Sequence, residues 1–158
     1  MNRYMGEKWL WIDGSITMRD ELLDGLTDAD LAFTPGGANL PLGELIREMG
    51  EVQQSYLTGL ETLAQDFTYR NPDPGIERSV ERLRAWFHEL DATLNSVASG
   101  FTDDDLDKKV LRAGGYEMPV EMSLDVYVQA VLIFFGKAVV YLKAMNRALP
   151  PLIDDWIW

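Results

Sequence analysis

The chain has no cysteine, one histidine, and only 14 lysines and arginines against 26 aspartates and glutamates. Without cysteine there can be no disulfide, no thiolate nucleophile and no cysteine-ligated zinc. A net charge of −12 repels phosphate backbones, and no local basic stripe compensates. Nucleic acid and anionic membrane surfaces are therefore not expected partners. G-x-S-x-G, HExxH, Walker and dinucleotide glycine patterns are all absent, and Gly36-Gly37 is not followed by the lysine of a phosphate loop. A long uninterrupted apolar run is missing too. The most apolar stretch, Val126 to Leu142, follows Asp125 and is interrupted by Gln129 and Lys137. A buried helix is expected there rather than a membrane span. The opening MNRYMGEKWLWIDGS has no apolar core leading to a small-residue cleavage site, so no signal peptide is expected and cytoplasmic residence is the default.

What is present is helical periodicity. The length of 158 residues and the hydrophobic content of 47% suit a single domain, residues 1–158, with a sizeable core. A first helix is expected from Tyr4 to Leu26, with Met5, Trp9, Ile12, Ile16, Leu22, Leu23 and Leu26 inward and Gly14 a weak point. A second opens after Pro41, where Leu42, Leu45, Met49, Val52, Tyr56, Leu60 and Leu63 recur every three or four residues. In the third, Ile76, Val80, Leu83, Phe87, Leu90, Leu94 and Val97 keep heptad spacing up to Gly100, as a bundle seam requires. The fourth is expected to start near Ser123 as N-cap. Its seam is Tyr127, Val131, Phe134, Ala138, Tyr141 and Met145, and Pro150-Pro151 ends it. Ile133, Phe135, Val139, Val140 and Leu142 widen that surface beyond one seam. A bundle buries only one side of each helix, so the surplus predicts a homodimer contact through this helix. The tail after Pro151 carries Trp156 and Trp158, which could cover a bundle end or a partner.

The connections repeat. LTDADL at Leu26–Leu31 and FTDDDL at Phe101–Leu106 each place a threonine before carboxylates and an apolar residue, and each precedes a glycine pair, Gly36-Gly37 or Gly114-Gly115. Capping of exposed backbone amides accounts for both. Neither has the twelve ligand positions of an EF-hand.

Two stretches carry a family resemblance: LTDADLAFTPGGANLPLGELIREMGEVQQSY (Leu26–Tyr56) and YVQAVLIFFGKAVVYLKAMNRALPP (Tyr127–Pro151). Together with the two-pair layout they resemble the DinB/YfiT-like family. The resemblance implies an all-α four-helix bundle of up-down-down-up topology, often dimeric. It also implies a divalent-metal site of three histidines, one in helix 2 and two spaced four apart in helix 4. Those positions match Glu48, Ala130 and Phe134 here. An Arg-Gly-Gln after the last histidine becomes Phe135-Gly136-Lys137, while Tyr141-Leu142 is retained. One carboxylate, one methyl group and one benzene ring cannot form a three-histidine centre. No metal and no other cofactor is expected.

Helical geometry agrees with that reading. Glu48 sits about 60° from Leu45, and Ala130 is equally offset from Tyr127, while Phe134 lies near the seam centre. A half-buried Glu48 could work as a general acid or base, or meet a ligand amine, hydroxyl or water. Tyr56, Trp86, Tyr127, Phe134, Lys137 and Tyr141 are the candidate lining of such a pocket, with a Lys137–Glu48 ion pair as one arrangement. His88 lies about 140° from Leu83 and should face solvent. The leading expectation is a metal-free module that binds a small molecule or serves as a non-catalytic dimer. The alternative is a transferase or hydrolase of the thiol-dependent kind, metal-dependent or with residual activity, using Glu48. A structural partner protein using helix 4 and the tryptophan tail is the third.

Overall fold

The computed structural model describes residues 1–157, and for Ile157 the backbone only; Trp158 lies outside the described residues. Four long helices form the framework: α2 (Trp9–Asp24), α3 (Leu42–Thr62), α4 (Val80–Gly100) and α6 (Val120–Ala144). Helix α3 packs on both α4 and α6, and α2 packs on the same two. Short helices α1 (Arg3–Glu7), α5 (Asp103–Leu106) and α7 (Pro151–Ile157) and two 3-10 turns, Asp30–Ala32 and Ile76–Arg78, complete the helical part.

Several boundaries differ from the expected ones for local reasons. The first helix is broken at Lys8, which leaves helical geometry and caps α1. The Asn2 carboxamide anchors that short helix by donating to the carbonyls of Ala98 (2.8 Å) and Phe101 (2.9 Å) at the end of α4. Ile76 stands in a 3-10 turn, and α4 begins after Ser79, whose hydroxyl accepts from the Arg82 amide. Ser123 is not an N-cap. Helix α6 starts three residues earlier behind Pro119, whose fixed φ suits entry into a helix. The Ser123 hydroxyl is buried there and has no hydrogen-bond partner among the described residues.

A small sheet, absent from the all-helical expectation, joins the two halves of the chain. Strands β1 (Ala64–Gln65), β2 (Lys109–Arg112) and β3 (Glu117–Pro119) lie in that order, β1 parallel to β2 and β2 antiparallel to β3. Val110 and Met118 point inward while Lys109, Leu111 and Glu117 face out, the alternation of a half-buried ribbon. Gly114 and Gly115 turn the hairpin at φ of +91° and +81°, a region that side-chain-bearing residues avoid. Strands of two to four residues are too short for a period-2 pattern to stand out.

The repeated threonine loops close in the same way. The Thr27 amide and hydroxyl both donate to Asp30 Oδ2 (2.9 and 2.8 Å), and those of Thr102 donate to Asp105 Oδ2 (2.8 and 2.7 Å). Thr102 also accepts from the Asp105 amide and so completes a capping box on α5, whereas the Thr27–Asp30 loop closes on itself without a side-chain cap on the Asp30–Ala32 turn. A lysine or arginine then neutralises each aspartate, Arg147 on Asp30 and Lys108 on Asp105.

By length and composition α6 could cross a membrane. In this fold it packs against α3 and α2, and 39% of its most apolar window is buried.

Between the helices lies a polar layer that the apolar periodicities do not reveal. Arg19 of α2 is 1% exposed. Its guanidinium donates to both carboxylate oxygens of Asp91 on α4 and stacks over the Phe87 ring at 4.4 Å. Gln53 of α3 donates to the same carboxylate at 2.9 Å. Tyr127 of α6 is buried close enough to feel both charges, and burial drives its hydroxyl pKa well above the ordinary value. Burial pulls the Arg19 pKa down, but the hydrogen bonds and charge of Asp91 outweigh it and leave it raised. Removing one partner of such a pair leaves a desolvated charge unmatched. Asp91→Ala is expected to cost ~3–5 kcal/mol of stability. The combined Arg19→Met, Asp91→Leu variant should cost far less, both read from urea unfolding midpoints.

Candidate functional site

Helix α3 positions the site. Its start is pressed against the Ile76–Arg78 turn so closely that a Cβ on Gly43 would fall 1.9 Å from the Glu77 carbonyl oxygen. From there Glu44, Glu48, Glu51 and Ser55 step along one side at i, i+3 and i, i+4 spacing, joined by Arg47 and Val52. That side forms one wall of a cleft of about 430 Å³, closed by Leu40, Phe67 and Arg70. On the other side of Glu48 lies a smaller cavity of about 240 Å³. Asn39, Leu45, Lys137, Val140 and Tyr141 line it. Glu48 and Leu40 belong to both. The half-buried Glu48 carboxylate is thus the divider of two adjoining spaces.

Its neighbours are differently engaged. Glu51 is 7% exposed and is committed to structure. It accepts from the Asn71 amide at 3.0 Å and pairs with Arg47 and Arg70, holding the loop after the sheet strand against α3. The Tyr141 hydroxyl donates to the Leu40 carbonyl at 2.6 Å. Burial and the charge of Glu48 raise its pKa. The Lys137 ammonium stands 4.9 Å above the Phe134 ring, a cation–π contact, and no Lys137–Glu48 ion pair forms among the described residues. Glu48 and Lys137 therefore face one cavity as separate charges.

The six expected pocket residues fall into three places. Lys137 and Tyr141 line the smaller cavity beside Glu48, with Phe134 beneath the lysine. Tyr56 and Tyr127 pack together with ring centroids 5.5 Å apart. Phe67, in the wall of the larger cleft, meets Tyr56 at 5.9 Å, and Arg112 lies over both Tyr56 and Phe67. Trp86, on α4, meets a different face of α3, where its ring rests on Gly50. Ala130 is half-buried and Phe134 buried on α6. His88 is exposed, its nearest acidic partner Asp20 at 3.8 Å. Arg47, Glu51 and Arg70 are cleft residues that periodicity alone did not single out. The i, i+4 spacing of Arg47 and Glu51 was the available signal.

A divalent metal needs several oxygen, nitrogen or sulfur donors converging on one point. Of the three positions that carry histidines in the resembling family, only Glu48 offers a donor. No group of three or more histidines, cysteines, aspartates and glutamates among the described residues is placed to hold a metal ion. The residues present do not fit such a centre.

The DinB superfamily model matches residues 13–129, well over half of the chain, and the chain belongs to that family. The fold is also that of a DinB-like protein from Bacillus cereus ATCC 10987, whose crystal structure superposes with a TM-score of 0.73. That likeness covers 91% of this chain and 92% of the other at 19% identity. Among functionally curated proteins none matches.

The donor set gives a direct expectation. Binding only to the native state raises the unfolding temperature by mass action. One to ten equivalents of nickel or zinc should leave the melting temperature of chelator-treated protein unchanged in differential scanning fluorimetry. A saturable rise at one equivalent would place a metal site in this fold after all.

Proposed function

We propose that this DinB-superfamily chain is a metal-free, non-catalytic module that binds a small organic molecule in the cleft divided by Glu48. In this reading its four long helices run up-down-down-up as a bundle, and two copies pair in the cytoplasm through α6. The observation that carries it is Glu48. An acidic side chain without a charged partner among the described residues fronts two adjoining cavities, the larger of them of ligand size. Apolar walls from Leu40, Leu45 and Val140 supply contact area, and Asn39, Lys137 and Tyr141 supply orientation. Desolvating an unmatched carboxylate favours a ligand that brings an ammonium, amidinium or hydroxyl donor.

Pairing is supported by one stripe of α6. Leu132, Ile133 and Val140 are 37%, 62% and 57% exposed, and with Gly136 they repeat at helical spacing away from the core. Contiguous exposed apolar surface is a mark of protein contacts, and this stripe is the surface on which the pairing proposal rests. Lys137 at its edge would bring the stripe close to the cavity.

Two measurements test the reading. A thermal-shift panel of small amines, amino acids and hydroxylated metabolites should yield ligands that raise the melting temperature of the native protein, and Glu48→Gln should abolish those shifts. No shift across the panel, or shifts indifferent to Glu48→Gln, would overturn it. If a ligand is instead turned over, and Glu48→Gln stops turnover while binding persists, the carboxylate is an acid–base catalyst and the enzyme reading replaces the module. For pairing, light scattering should give twice the mass of the 158-residue chain, and Ile133→Glu should give the monomer with helical content unchanged.

A further inference from the structure

The groove between α3 and α4, on the side of α3 away from Glu48, takes part in none of the above. It encloses about 540 Å³. Its floor is Trp86. A Cβ on Gly50 would stand 2.4 and 2.6 Å from two atoms of the indole benzo ring, so only glycine lets the ring lie so close to α3. Glycine in a helix interior costs about 1 kcal/mol relative to alanine. Behind the indole, Phe87 stacks at 5.7 Å and 30°, which fixes the ring from a second side. Trp86 is half-buried and presents part of itself to the groove.

Tyr69 is a second aromatic wall, carried by the loop that Glu51 holds. Burial and the charge of Glu51 raise its hydroxyl pKa, so it stays a neutral ring. The charges at the rim are not balanced. Arg82 is spent within its own surroundings. It binds both oxygens of Asp73 and the carbonyls of Gly75 and Pro74. Glu89, one turn along α4 from Trp86, lines the groove with no ion pair among the described residues. Gln54 and Thr93 add neutral polar groups.

We infer that this groove is a binding site for an organic cation of the quaternary-ammonium class, held over Trp86 and beside Tyr69 with Glu89 as counter-charge. Tryptophan gives the strongest cation–π attraction of the aromatic side chains, and clustered aromatic rings are a recurring means of holding methylated ammonium groups. A quaternary ammonium carries little hydration and no hydrogen-bond donor, so an aromatic floor competes with water for it. The protein's charge of −12 raises the local concentration of any cation.

The test uses the whole chain, labelled with ¹⁵N, and two probes of nearly equal shape. Choline carries the cation; 3,3-dimethylbutan-1-ol replaces its nitrogen by carbon. The Trp86 indole N–H is assigned as the resonance missing from Trp86→Phe, with sodium chloride matching ionic strength throughout. Choline should move that resonance saturably and bind at least about threefold tighter than the neutral isostere, the scale of an exposed cation–π contact. Glu89→Gln, an exposed change on α4, should weaken choline by a similar factor, and Glu48→Gln should leave it untouched. Equal responses to choline and the alcohol would reduce the groove to an apolar crevice and overturn the cation assignment. Absence of a saturable shift, or its loss in Glu48→Gln but not in Glu89→Gln, would overturn the site itself. Should Trp86→Phe fail to fold, comparison of Glu89→Gln with the native protein still decides the matter.

Discussion

A guanidinium shut away from water has to meet its counter-charge inside the protein, and the Arg19–Asp91 pair meets that requirement across three helices. Arg19 reaches from α2, Asp91 from α4, and Gln53 supplies a third hydrogen bond from α3. Hydrophobic contacts tolerate small rotations of a helix. A shared carboxylate accepting from two fixed donors does not, because the unmet bond is expensive in a medium of low polarity. The layer therefore sets how far each helix is turned about its own axis. With Gln53 turned inward, Glu48 is rotated about 140° from it and comes to the side of α3, where it divides the cleft. The same arithmetic relates Asp91 to Trp86 on α4, which meets α3 at Gly50. Cleft and groove both inherit their geometry from this pair.

Much of the framework could be read from the chain because long amphipathic helices repeat their signal many times. Leu42 to Leu60 and Val80 to Val97 each offer several concordant positions, and the elements follow them closely. The start of α6 could not be read so well, because Ser123 has the chemistry of a cap while Pro119 has the backbone geometry of one. The strands escaped notice since their pairing is a property of two distant segments. Arg19 and Asp91 escaped for a different reason: a charged residue beside an apolar stripe looks solvent-facing until its partner is known. Of the site, Glu48 was legible through the family resemblance, and Tyr141 and Lys137 lie beside it. The grouping of Tyr56 with Tyr127, and of Trp86 with Gly50, depends on which helix faces which. Periodicity assigns faces to a helix, not neighbours to a face.

At the positions that match the family's histidines, Ala130 and Phe134 present only carbon, Phe134 within the hydrophobic core and Ala130 packed against it. The two Thr–Asp loops close by the same hydrogen bonds and are tied down by Arg147 and Lys108. Belonging to the DinB superfamily thus speaks for the backbone arrangement, and the side chains of α3 and α6 decide what the cleft can hold.

The three-stranded sheet has a consequence for how the polypeptide is made. Its first strand leaves the ribosome directly after α3, while the strand that satisfies the Leu63 and Gln65 carbonyls follows only after α4 and α5. Throughout that interval the nascent chain exposes an open backbone edge. The edge is two residues long and is flanked by the acidic Glu61 and Asp66, so it offers other chains a poor template for pairing while translation catches up.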